Sequence, residues 1–159
     1  MKVRKFSPIL ENMFLSENEL KQSTEWKVVP DIWKTASEKF GNQVALVDHY
    51  HNPPTSLSYK QLEVEIVSFA EGLRDIGLKP DEKIALFAEN SCRWLVADQG
   101  ILTTGAINVV RGSRSSVDEL LKIYTHSDSV ALVVDNPEMY NRIAKTFHSR
   151  ADIWGMIVV

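Results

Sequence analysis

The sequence predicts an α/β fold, a mostly parallel sheet with helices on both faces. Three observations lead there. Helical and strand patterns alternate along the chain, each bounded by turn residues. Candidate strands such as "ALVV" and "NVV" are nearly continuous apolar runs, as strands covered on both faces must be. The links are short, and repeated strand–helix–strand order implies parallel strands in a doubly wound layer.

In chain order, "VPDIWKTASEKFG" places Ile32, Trp33, Ala36 and Phe40 on one helical face, with Pro30 before it and Gly41 as the stop. "VALVD", from Val44 to Asp48, is a short strand, and "HYHNPPT" is a proline-rich loop leading to "SLSY". Ser58 with Gln61 fits a capping box, in which a hydroxyl and an amide side chain satisfy free backbone N–H groups. The helix it opens buries Leu62, Ile66, Phe69, Ala70, Leu73 and Ile76 and stops at Gly77. "GLKPDE" turns the chain into the strand "KIALFAE". "NSCRWLVADQGILTTG" starts on cap-type Asn90 and Ser91 and is helical until near Gly105. "AINVVR" is a strand, "SVDELLKIYTHSD" a helix and "VALVVD" a strand. "NPEMYNRIAKTF" is a helix capped by Asn136 with Pro137 in its first turn, and "MIVV" begins a last strand.

At 159 residues the chain has the size of one domain, which buries ~68–70% of its unfolded surface. Apolar residues at 44% and charged residues at 25% are those of an ordinary globular protein. A net charge of −3 leaves no concentrated Lys/Arg footprint for nucleic acid. Cys92 is the only cysteine, so no disulfide framework and no thiolate metal cluster is expected. No membrane span is expected, because Asp98 and Gln99 break the longest apolar candidate. The first stretch carries Lys2, Arg4 and Lys5, followed by Glu11, Glu17 and Glu19. It fits neither an acid-poor transit peptide nor a secretory signal, and residues 1–25 are expected to form a loosely ordered leader.

The chemistry-bearing stretch is "AINVVRGSRSSVDELL", where Arg111 and Arg114 flank a Gly/Ser turn that opens a helix. Arginines at a strand-to-helix turn suit phosphate oxygens, which makes them a candidate anion site. The competing reading is a loop and cap. Ser116 and Glu119 satisfy S-x-x-E, and Asp118 with Glu119 already complements the helix dipole. The cap reading leads.

Other candidates are weaker. "LTTGAINVVRG" lacks the lysine and the glycine density of a phosphate loop, and its threonines sit where a helix runs into a strand. His49 and His51 form H-x-H beside Asp48, but nothing in the sequence completes a zinc ligand set. His126 and His148 lie near helix C-termini, where a cation is favourable. Cys92 opens a helix, yet no histidine is placed by sequence to act as its base. No catalytic residue and no metal ligand is assigned.

The segment from "LSYKQLEVEIVSFAEGLRDIGLKPDEKIALF" through "AENSCRWLVADQGILTTGAINVVRGSRSSVDELLKIYTHSDSVALVVD" resembles the N-terminal region of AMP-forming acyl-activating enzymes. In that superfamily a "TY-x-EL"-type helix start precedes "G-x-x-x-GD-x-V-A" and a "G-A-x-x-x-P" strand. "ALVDHYHNPP", "AENSCRWLVADQGI" and "NVVRGSRSSVDELL" are most similar to the plant plastid branch, the long-chain acyl-[acyl-carrier-protein] synthetases. The resemblance covers about residues 26 to 147, and "ADIWGMIVV" departs from the pattern.

The resemblance implies a two-step reaction. ATP and a fatty acid give an acyl-adenylate, and a thiol on acyl carrier protein or coenzyme A then takes the acyl group. It implies ATP and magnesium as cofactors, a chloroplast location, and residues 26–159 as the N-terminal portion of an adenylate-forming domain. The family's lysine-terminated phosphate loop, adenine-contacting aromatic, magnesium-binding Glu, ribose-binding Asp and late catalytic Lys have no counterpart here. The chain is therefore expected to be a fragment of the ligase, inactive alone and requiring the remainder of the domain for full packing. The alternative is a stand-alone interaction or acyl-binding module on the same scaffold. If cover is missing from the final strand, "WGMIVV" should self-associate, and lysines at Ile157 and Val159 should raise solubility.

Overall fold

The structure, a computed structural model, describes residues 26–49, 53–150, 153 and 155–159. The leader expected over 1–25, His51 and Trp154 fall outside the described residues. The elements are α1 (Asp31–Phe40), β1 (Val44–Asp48), β2 (Thr55–Ser58), α2 (Tyr59–Asp75), β3 (Lys83–Phe87) and α3 (Cys92–Thr103). They continue with β4 (Ile107–Arg111), α4 (Val117–His126), β5 (Ala131–Val134), α5 (Pro137–Arg150) and β6 (Gly155–Val158).

The main sheet is parallel throughout, in the order β4-β3-β5-β6. Its side chains alternate between two cores. Ile84, Leu86, Ala131 and Val133 face one side with Leu73, Ala97 and Ile101 of α2 and α3. Ala85, Phe87, Leu132 and Val134 face the other with Leu120 and Tyr124 of α4 and Ile143 and Phe147 of α5. Period-two alternation between two apolar layers explains why these strands read as unbroken apolar runs.

Val44–Asp48 is the short strand that the sequence predicts, and it lies outside the parallel layer. It pairs antiparallel with β2, which the sequence reading left as the approach to a helix, in a separate two-stranded sheet. The connection through the proline loop is too short for a parallel crossover, which takes a dozen or more residues. A hairpin is what that length permits. Leu57 carries it onto Leu62, Ile66 and Val96 in a third apolar cluster.

The helix starts follow the sequence closely. Ser58 Oγ accepts from Gln61 N at 3.2 Å while Ser58 N donates to Gln61 Oε1 at 2.9 Å, a complete capping box. Ser91 rather than Asn90 caps α3, accepting from Trp94 N at 3.0 Å. Asn136 Oδ1 accepts from Met139 N at 2.7 Å at the start of α5. Gly77, with φ +99°, ends α2, and Leu78 N donates to Leu73 O at 3.0 Å across the reversal.

Helix α1 has no buried residue. Trp33 packs against the third apolar cluster, and polar groups fasten the helix further. Trp33 Nε1 donates to Gln99 Oε1 at 2.7 Å, Gln99 Nε2 to Asp98 Oδ2 at 2.7 Å, and Asn108 Nδ2 to Asp98 Oδ1 at 2.7 Å. This chain runs from α1 through α3 to β4. Phe40, expected inside, is 37% exposed and lies against the Tyr59 ring at 5.2 Å.

Helix α3 packs tightly against α2 at Gly100. A Cβ there would lie 2.7 Å from Phe69 Cδ1 and 3.2 Å from both Ile66 O and Phe69 Cβ. Alanine should relieve the backbone-entropy cost of a mid-helix glycine, about 0.5–1 kcal/mol. Overpacking against a backbone carbonyl should outweigh it, at about 1–3 kcal/mol. Gly100→Ala is therefore expected to lower the urea midpoint. A raised midpoint would show that the two helices part without strain.

Candidate functional site

Helix α3 leaves β3 toward one face of the sheet, whereas α4 and α5 leave β4 and β5 toward the other. The carboxyl ends of β3, β4 and β5 thus form a topological switch point, the place where open α/β sheets take ligands. Arg111 and Arg114 both stand at this crest.

Glu89, the first charged residue after β3, lies at its centre. Glu89 Oε1 accepts from Ser113 Oγ at 3.0 Å, and Glu89 Oε2 lies 3.6 Å from Arg114 Nε. Its backbone N–H donates to Asp135 Oδ2 at 3.1 Å, tying the β3 loop to the β5 loop. Arg111 Nε donates to Ser115 Oγ at 3.0 Å, and Arg111 Nη2 to Glu119 Oε1 at 2.5 Å. From α5, Arg142 donates to the carbonyls of Ser113 and Ser115, so the turn is held by its backbone as well.

The cap on α4 is half of the expected box. Ser116 Oγ accepts from Glu119 N at 3.2 Å, but the Glu119 carboxylate is taken by Arg111. An ion pair with a guanidinium replaces the reciprocal bond because Arg111 ends the adjacent strand within reach. The arginines differ in setting. Arg114 is 88% exposed and its pair with Glu89 is a solvent-screened contact, whereas Arg111 is 50% exposed and makes two bonds.

An anion brought to this turn would face Glu89, Asp118 and Glu119, and would have to displace carboxylates already on both arginines. That geometry supports the loop-and-cap reading. Beside the crest lies an open groove of about 370 Å³ lined by Ala88, Glu89, Asn90, Trp94, Val110, Gly112 and Arg114. Sequence reasoning missed Glu89, Asp135 and Arg142. The first two were findable as the first acids after "KIALF" and "ALVV", where strand ends meet a candidate site. Arg142 gave no signal, being one more polar residue on an amphipathic helix.

The remaining candidates resolve locally. Thr103 Oγ1 donates to Gln99 O and Thr104 Oγ1 to Ile101 O, each at 2.7 Å, so both hydroxyls serve the last turn of α3. Cys92 is buried, and burial pushes its thiol pKa up, with the charges of Asp48 and Glu65 adding to the shift. A thiol held protonated is a poor nucleophile. His49 is exposed, and among the described residues no three His, Cys, Asp or Glu side chains gather to hold a metal. Among them, too, no helix is long and apolar enough to cross a membrane.

A parallel sheet covered on both faces, with polar loops along its carboxyl edge, is an open α/β architecture of the N-terminal adenylate-forming type. Within it, this chain belongs to the AMP-binding enzyme family, whose profile matches residues 33–158. It is 63% identical over 157 residues to Long-chain-fatty-acid--[acyl-carrier-protein] ligase AEE15, chloroplastic, of Arabidopsis thaliana, covering 99% of this chain and 22% of that protein. It is 64% identical over 149 residues to the Arabidopsis thaliana protein called Probable acyl-activating enzyme 16, chloroplastic, covering 94% of this chain and 21% of the other. The chain thus spans about a fifth of the length of these relatives. The likeness to the first runs further than residues 26 to 147, taking in nearly all of the leader and of "ADIWGMIVV".

Among solved structures, the inhibitor-bound N-terminal domain of FACL13 from Mycobacterium tuberculosis superposes with a TM-score of 0.75. The match covers 84% of this chain and 34% of that one at 17% identity, a likeness of fold alone.

Proposed function

We propose that this chain is the N-terminal part of a plastid fatty-acid ligase. In the reaction, a fatty-acid carboxylate oxygen attacks the α-phosphorus of ATP and releases pyrophosphate. The thiol of acyl carrier protein or coenzyme A then attacks the acyl carbonyl and releases AMP. One observation carries the reading: 63% identity to a chloroplastic acyl-carrier-protein ligase across 157 residues. The plastid location rests on the same relative and on the second chloroplastic one.

Within such an enzyme this segment supplies scaffold rather than chemistry. Of its crest arginines, Arg111 is bonded to Glu119 and Arg114 stands 3.6 Å from Glu89, and among the described residues no three His, Cys, Asp or Glu side chains gather to hold a metal. A transition state gathering charge on phosphate needs preorganised, uncompensated donors, and those belong to the rest of the ligase. Isothermal titration of the chain with ATP is accordingly expected to show no binding tighter than ~100 μM, an affinity worth ~5.5 kcal/mol. Tighter binding that Arg114→Ala abolishes would make the crest a nucleotide site.

The whole reading is tested by exchange. The matched segment of the Arabidopsis ligase is replaced by this chain, and fatty-acid-dependent incorporation of pyrophosphate into ATP is measured. The chimera is expected to stay within about tenfold of its parent, and the chain alone should not exceed a no-enzyme blank. A folded but inactive chimera sinks the reading. Exchange catalysed by the chain alone would place chemistry in this segment.

A further inference from the structure

We infer that the leader docks on its own chain, with residues 6–14 lying along the outer face of α2 against Val64 and Val67. The contact is within one chain and is independent of the ligase reading.

Among the described residues, eight of the twelve exposed large apolar side chains fall between Trp26 and Val67, in the part of the fold built by α1, the hairpin and α2. Such side chains scattered singly need no explanation, and a concentration of them does. On α2 the stripe Lys60, Val64, Val67 and Glu71 runs along the face opposite the buried Leu62, Ile66, Ala70 and Leu73. Val64 is 57% exposed and Val67 46%. Valine suits a solvated helix face poorly, since its branched side chain loses rotamer freedom there and gains no packing. Lysine or glutamate serves such a position better. Two valines one turn apart therefore mark a face with a partner. Val64 also lines a groove of about 470 Å³ with Ser58, Gln61 and Glu65, at the start of the helix.

Reach and charge identify the occupant. The leader enters at Trp26, whose indole N–H donates to Thr35 Oγ1 of α1 at 2.9 Å. At the far end of α1, Gly41 O accepts from Lys60 N at 3.0 Å, so α1 leads from the leader to the first turn of α2. With 10 residues, α1 is about 15 Å long. From Leu20 to Trp26 the extended chain spans up to about 20 Å, which brings Leu20 within reach of Lys60.

In "FSPILENMF" the spacing sets Phe6, Ile9, Leu10 and Met13 on one helical face, and Pro8 suits a first turn. Run antiparallel to α2, that face meets Val67 and Val64. The basic start of Lys2, Arg4 and Lys5 then meets Asp75 and Glu71, which already stands beside Arg74, and Glu17 and Glu19 meet Lys60. A parallel arrangement would set like charges together at both ends.

A nitroxide on Asn12→Cys tests this in the full chain at low concentration, where Cys92 is buried and stays unlabelled. The methyl signals of Val64 and Val67 are expected to lose most of their intensity. Those of Val134, in the core on the other face of the sheet, should keep theirs. Val67→Lys should restore the Val64 signals and lower the thermal midpoint by about 2–4 °C. On an uncovered face the same substitution would leave the midpoint unchanged or raise it, because lysine has the better helix propensity. Val64 and Val67 signals that ignore the nitroxide overturn the proposal, and so does a midpoint that Val67→Lys raises. Broadening of an unlabelled, isotope-enriched chain by a separate labelled one assigns the stripe to a second copy and overturns it as well.

Discussion

Phe147→Ala is expected to destabilise the chain by about 3–5 kcal/mol, the usual range for deleting a buried aromatic ring. Phe147 is fully buried on α5 and packs edge-on against Phe87 of β3 at 6.4 Å and Tyr124 of α4 at 5.5 Å. Its ring therefore joins a sheet strand to both helices of one face, and each pair contributes about 0.5–1.5 kcal/mol beyond area burial. Since a whole domain is stable by about 5–15 kcal/mol, the variant should be largely unfolded under mild stress. Phe147→Leu, nearer in volume, should lose much less, and Phe40→Ala, at a ring 37% exposed, should lose little. Chemical denaturation followed by circular dichroism measures all three. A loss under about 1 kcal/mol for Phe147→Ala would mean that the α4–α5 layer collapses into the space without strain.

The second large effect is on association. The isolated chain at high concentration is expected to self-associate through Gly155–Val158, whose outward edge is unpaired and uncharged. The sequence pointed to Ile157 and Val159 as sites for solubilising lysines. The structure redirects the substitution, because both pack on the α2–α3 core and a lysine there would uncover it. Val158, 43% exposed, is the better position. Val158→Lys should raise the concentration at which the chain stays monomeric severalfold, with no loss in thermal midpoint. Light scattering reads the first and a thermal melt the second. A wild-type chain that is monodisperse at high concentration would show that the edge is not available for pairing.

Most of the secondary structure was legible because its causes are local. The Ser58–Gln61 box and the Ser91 and Asn136 caps act within four residues of themselves, so the sequence displays both partners. The all-apolar run "ALVV" likewise announces burial on both faces. The candidate site was legible only in part. Arg111 and Arg114 could be seen as cations in a turn, but their partners could not be paired with them. Glu89 arrives from the neighbouring strand, and Arg142 reaches the turn from α5. Glu119 was visible as a capping residue, and which bond its carboxylate makes depended on where Arg111 ends its strand.

By itself the sequence determined the fold class, the helix starts and the family resemblance, since these rest on periodicity, capping spacing and motif order along one chain. Only the tertiary structure decided that β1 and β2 form their own antiparallel pair, which carboxylates face the crest arginines, and which residues of β6 are free. The physical reason is the same in each case. Strand partners, ion pairs and exposed edges are relations between segments far apart in sequence, and their energies exist only once packing has brought those segments within bonding distance.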